Sequence, residues 1–181
     1  WTEAPDEDAS FDTNGYYATH VTLKLTAGAC GVYAACYRMF KTIDPDFSQR
    51  CLEAAKKAYA WIEEHANDEG AHHIFGGSSW TDVETPSFTA GTYGSTNAWS
   101  DMWWAACEMF RATGEQKYHD AIQTMYAEQK DKLSLVSITA YDIGGAGTLA
   151  YLMADNTDAT LCANLLADIV AAADNTKKTT E

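Results

Sequence analysis

The sequence is short of basic residues, short of proline and free of any long apolar run. Only 12 Lys and Arg stand against 26 Asp and Glu, a net charge of −14. Nucleic acid and anionic membrane surfaces would be repelled, so neither is expected as a partner. No run approaches the roughly 18 apolar residues of a membrane-spanning helix. The chain opens with Trp1 and not Met and carries no signal peptide, so a part upstream of it is expected. Prolines number 3, few enough to leave long stretches free for helix.

Cysteine is present but unpatterned. Cys30, Cys36, Cys51, Cys107 and Cys162 are scattered, odd in number and without the CxxC spacing of a metal site. Each lies in a stretch of helical apolar periodicity, so they read as small core residues, in preference to a disulfide framework or metal ligands. Aromatic residues are abundant, with 6 Trp, 10 Tyr and 6 Phe. Several fall in segments with no period, where a flat ring is available for stacking.

The first 19 residues are polar, acidic and aperiodic, and read as loop. Over residues 21–42, Leu25, Ala29, Val32, Tyr33, Cys36, Tyr37 and Phe40 recur every three or four positions, which predicts a helix burying that face. Asp44-Pro45 then starts a second helix as cap and first residue. Phe47, Cys51, Leu52, Ala55, Tyr59 and Ile62 are its inner stripe, and it ends between His65 and Gly70. Residues 68–97 hold no period but carry His72, His73, Phe75, Trp80, Phe88 and Tyr93. An irregular segment of that length in a compact domain points to function.

Helices follow over residues 98–113, 116–131, 145–155 and 158–173. Met102, Ala105, Ala106, Met109 and Phe110 point inward in the first, and Tyr118, Ile122, Met125 and Tyr126 in the second. In the last, Leu161, Leu165, Leu166, Ile169 and Val170 point inward. No segment has a clear period of two. The fold class is all-α, with short links making helical hairpins and longer aromatic loops on the other side.

Three segments carry a more specific signal. LTAGACGVYAACYRMFKTIDPDFSQRCLEAAKKAYAWIEEH (residues 25–65), GTYGSTNAWSDMWWAACEMFRATGEQKYHDA (91–121) and ITAYDIGGAGTLAYLMA (138–154) stand in that order. They resemble, respectively, the "C-L-x-A-A-K" helix, the "Y-G…D-E…W-A-A-x-E-L-Y-x-A-T-G" block and the "W-D…G…L" segment of glycoside hydrolase family 9 cellulases. The resemblance implies helical hairpins forming about half of an (α/α)6 toroid, from an endo-β-1,4-glucanase that hydrolyses cellulose-type bonds with inversion and is secreted.

It also implies that the catalytic groups lie elsewhere. The family's base is an aspartate of a "D-A-G-D" motif upstream, and its acid a glutamate downstream; neither motif occurs here. Of Asp82, Glu84, Asp101 and Asp142 none matches that pair, so no catalytic residue is assigned in this chain. The resemblance implies sugar contacts at Tyr93, Asp142, Tyr141, Trp80 and Trp99. Loop packing is the alternative for the aromatics, and capping of the glycine-rich turn the alternative for Asp142. Three places depart from the family's pattern: Ser100-Asp101 keeps one acid of two, Ser137 stands where relatives often place a tryptophan, and Tyr141 replaces the tryptophan next to Asp142.

His72-His73 lacks a companion at ligand spacing, so no metal is expected there. No cofactor is expected. Calcium, bound by some relatives, would have only the oxygens of Asp68, Glu69, Asp82 and Glu84 to draw on. The expected partners are a β-glucan and the remainder of the catalytic domain, because half a toroid exposes apolar faces at its edges. The reading from another class is a non-catalytic sugar-binding or structural helical module. Another toroid enzyme, such as a sugar epimerase, fits the Y-G…W-A-A-x-E block less well.

Overall fold

The computed structural model describes residues 21–72, 97–139 and 141–180. Every regular element among them is helical. α1 (Leu23–Phe40) starts where Thr22 Oγ1 accepts from the Leu25 N–H at 3.3 Å. α2 (Pro45–His65) starts where Asp44 Oδ1 accepts from the Phe47 N–H at 2.9 Å. Both satisfy N–H groups that the helix itself cannot. α3 (Trp99–Thr113) stops at Gly114, whose φ of 67° is the left-handed cap that glycine adopts without penalty. α4 (Gln116–Gln129), α5 (Gly144–Leu152) and α6 (Ala159–Thr180) complete the set. None of the described helices is long and apolar enough to cross a membrane.

The helices pair as hairpins: α1 with α2, and α3 with α4. The odd-numbered helices also pack side by side, α1 on α3 and α3 on α5. That is a wall of inner helices, α1, α3 and α5, with α2 and α4 packed against α1 and α3. α3 is central and almost wholly buried, with Trp103, Ala105, Ala106, Cys107 and Met109 fully enclosed. α6 is held by buried Leu161 and Leu165 and by an ion pair of 3.0 Å between Lys130 and Asp168. It also runs further than the periodicity suggested, through the polar tail that ends at Thr180.

Two expected faces are corrected. α1 buries Leu23, Ala27, Cys30, Gly31 and Ala34, while Leu25, Val32 and Tyr33 are exposed. The cause is proximity to α3: a Cβ on Gly31 would sit 2.8 Å from Trp104 Cδ2, so only the small-residue face fits there. On α6, Leu166 and Val170 are exposed too. The apolar periodicity of α1 was real, but its large members look outward.

The helix expected over residues 145–155 is found as α5, starting one residue earlier, with Gly144, Gly145 and Gly147 in its first turn. A Cβ on Gly147 would lie 2.6 Å from Trp103 Cδ1. The missing side chain lets α5 lie directly on α3, where Trp103 Nε1 donates to Thr148 Oγ1 at 3.3 Å.

Candidate functional site

The N-terminal ends of α1, α3 and α5 meet at one end of the inner wall. Lys24 lies in the first turn of α1, Asp101 in the first turn of α3, and Tyr141-Asp142 directly before α5. Lys24 Nζ is 2.8 Å from Asp101 Oδ2 and donates to the Tyr141 carbonyl at 2.6 Å. One ammonium thus joins all three elements.

The loop before α5 is closed on itself. Thr139 Oγ1 accepts from the N–H of Tyr141 at 3.2 Å and from that of Asp142 at 3.0 Å. The Thr139 N–H donates back to the Asp142 carbonyl at 2.7 Å. These bonds fix the backbone and leave the Tyr141 side chain outward, 53% exposed. Asp142 is half-buried beside it. The arrangement offers a flat ring next to a carboxylate on a rigid loop, which suits the apolar face and the hydroxyls of a sugar ring.

Asp101 is the electrostatic centre. Burial raises its carboxyl above the ordinary value; the Lys24 hydrogen bond and charge pull it down, and the Asp142 charge pushes it up again. The two carboxylates therefore feel each other, with the ammonium holding one of them.

Trp99, by contrast, is half-buried at the start of α3. Its ring lies 5.2 Å from His72, and Lys132 Nζ stands 5.4 Å from its centroid. His72 donates from Nε2 to the Ala66 carbonyl at 2.9 Å and accepts at Nδ1 from the Ala98 N–H at 3.4 Å. Both of its nitrogens are committed to backbone, which anchors the entry to α3. Among the described residues no group of three or more His, Cys, Asp or Glu is placed to hold a metal. Tyr93, Trp80, His73, Asp82 and Glu84 lie outside the described residues. The structure therefore brings together Asp142 and Tyr141, with Trp99 packed at the neighbouring helix start.

Lys24 is the residue that sequence reasoning passed over. Its signal was a broken local rule, a cation in the first turn of a helix, where the positive end of the dipole disfavours it. Such a choice makes sense only if tertiary structure supplies an anion. Ser100, next to Asp101, is buried, and its Oγ accepts from the Ser134 N–H at 3.0 Å.

The model of glycosyl hydrolase family 9 matches residues 1–181. The chain belongs to that family. It is 30% identical over 107 residues to a xyloglucan-specific endo-beta-1,4-glucanase of Bacteroides ovatus, covering 58% of this chain and 17% of that protein. It is 22% identical over 178 residues to a cellodextrinase of Butyrivibrio fibrisolvens, covering 92% of this chain and 30% of that one. Among solved structures, a metagenome-derived family 9 endoglucanase superposes with a TM-score of 0.70 at 24% identity, over 90% of this chain and 28% of that one. An endoglucanase from Alicyclobacillus acidocaldarius gives 0.69 at 19% identity, over 86% and 27%. The chain thus spans less than a third of the length of these relatives, and its helical hairpins are part of the family's (α/α)6 toroid.

Proposed function

We propose that this chain is one wall of the substrate cleft of a secreted β-1,4-glucan hydrolase acting with inversion. The observation that carries the reading is the family match over residues 1–181, joined to an exposed Tyr141 and a neighbouring Asp142 on a loop that Lys24 ties to two inner helices. Tyr141 stacks on a sugar face and Asp142 takes its hydroxyls. The family resemblance adds Tyr93 and Trp80 as sugar-contacting aromatics, and Trp99 stands at the start of α3.

The acid and base come from the rest of the domain. An inverting glycosidase needs two carboxyl groups roughly 6.5–9.5 Å apart with a water between them. Asp101 is taken up by Lys24, so it does not serve as one of them. Acetal hydrolysis by two carboxyls and a water calls for no cofactor. The apolar side chains exposed on α1 and α6, Leu25, Val32, Leu166 and Val170 among them, receive the neighbouring hairpins of the toroid.

The test is a reducing-end assay on soluble β-glucan, with the anomer of the fresh product read by proton NMR, for the complete catalytic domain and for the 181 residues alone. Hydrolysis by the domain giving the inverted anomer, with none by the 181 residues, is the expected result. A complete domain that binds cello-oligosaccharides without cleaving them would replace this reading with a sugar-binding module.

A further inference from the structure

Two of the five free cysteines are neighbours across the first helical hairpin. α1 and α2 run antiparallel and very close, because two short side chains of one reach the backbone of the other. Cys30 Sγ donates to the Ala55 carbonyl at 3.4 Å, and Ser48 Oγ donates to the Tyr37 carbonyl at 2.8 Å. Those contacts bracket Cys36, one residue before Tyr37, and Cys51, one turn after Ser48. The small residues Ala34 and Ala55 on the buried faces permit the approach. Cys36 and Cys51 interact directly: besides burial, the charge of Cys36 and a side-chain hydrogen bond with it raise the Cys51 thiol. The two differ in access, Cys51 being buried and Cys36 half-buried.

We infer that Cys36 and Cys51 form a redox-active dithiol that oxidises to a disulfide stapling α1 to α2. A disulfide needs Cα atoms within roughly 4.4–6.8 Å, a separation that the backbone-reaching contacts of Cys30 and Ser48 make attainable. The oxidant is a small disulfide such as oxidised glutathione. The Cys36 thiolate attacks one of its sulfurs, forming a mixed disulfide and releasing one glutathione thiolate. The Cys51 thiolate then attacks Cys36 Sγ and displaces the second. Two protein thiols lose two protons and two electrons, and one glutathione disulfide becomes two glutathiones. The half-buried sulfur meets the reagent and the buried one resolves it, an order that the difference in access dictates. Cys30 is fully enclosed and Cys107 sits in the core, so neither competes for the reagent.

The experiment is treatment of the folded protein with oxidised glutathione, followed by thiol blocking, tryptic digestion and mass spectrometry. The expected product joins the peptide of residues 25–38 to that of residues 51–56. In Cys51→Ser the glutathione adduct stays on Cys36, and in Cys36→Ser neither the link nor an adduct on the 25–38 or 51–56 peptide appears, half-buried Cys162 reporting only on its own peptide; circular dichroism verifies that both variants are folded. The link should raise the unfolding midpoint of the wild type under non-reducing conditions, leaving Cys36→Ser unchanged. A persistent glutathione adduct on wild-type Cys36 would overturn the inference. So would a 25–38 to 51–56 link surviving in Cys36→Ser, since Cys30 would then be its source. The result is independent of any activity on glucan.

Discussion

Lys24 and Asp101 form an ion pair of 2.8 Å in which both side chains are nearly buried, at 14% and 9% exposure. A charge there is stable only with its partner, since removing one member strands the other away from water. The Tyr141 carbonyl takes a further hydrogen of the same ammonium, so the pair also sets the position of the loop before α5.

Lys24→Met should therefore destabilise the protein by about 3 kcal/mol in urea unfolding. The loss should depend on pH. Burial already raises the Asp101 carboxyl, and removing Lys24, which lowers it, raises it further. A raised folded value means that stability is retained in acid and lost as pH rises through that value. The gap between variant and wild type is thus expected to be widest near neutrality and to close in acid, and adding Asp101→Asn to the variant should narrow it at neutral pH. A gap that is constant with pH would dissociate Asp101 from the effect.

Two glycines of α1 should respond with opposite signs. A methyl group on Gly28 would meet nothing within 4 Å, so Gly28→Ala gains helix propensity and should stabilise by up to about 1 kcal/mol. At Gly31 the added carbon meets the Trp104 ring at 2.8 Å, and Gly31→Ala should cost roughly 1–3 kcal/mol through overpacking against α3. Thermal unfolding of the two variants side by side checks both.

Tyr151 is fully buried, and its hydroxyl accepts from the Asp158 N–H at 2.9 Å and hydrogen-bonds His119 Nε2 at 3.0 Å. It links α4, α5 and the turn into α6. Tyr151→Phe should cost about 1–3 kcal/mol because it leaves a polar neighbour unpaired. The turn into α6 should loosen most, which amide exchange at residues 156–162 would reveal.

Tyr141→Ala should weaken binding of cello-oligosaccharides to the complete domain by roughly fivefold or more, the worth of one aromatic stacking contact. Its exposure makes a change in stability under about 0.5 kcal/mol the expectation. Calorimetric titration and thermal unfolding of the same variant separate the two effects. Unchanged affinity would remove Tyr141 from the cleft.

The sequence by itself determined the helices and their hairpin links, because capping residues and apolar periodicity are local. Asp44-Pro45 starts α2 and Gly114 ends α3 as their chemistry dictates. It determined the family as well, through motifs that kept their order. What only the tertiary structure decided was which face each helix turns inward, and which distant charges meet. Leu25 and Val32 satisfy the same periodicity as a buried stripe, yet the close approach of Trp104 to Gly31 selects the small-residue face. The pairing of Lys24 with Asp101 spans 77 positions of sequence. Periodicity fixes where an apolar side chain recurs along a helix, whereas burial depends on neighbours that no local pattern encodes.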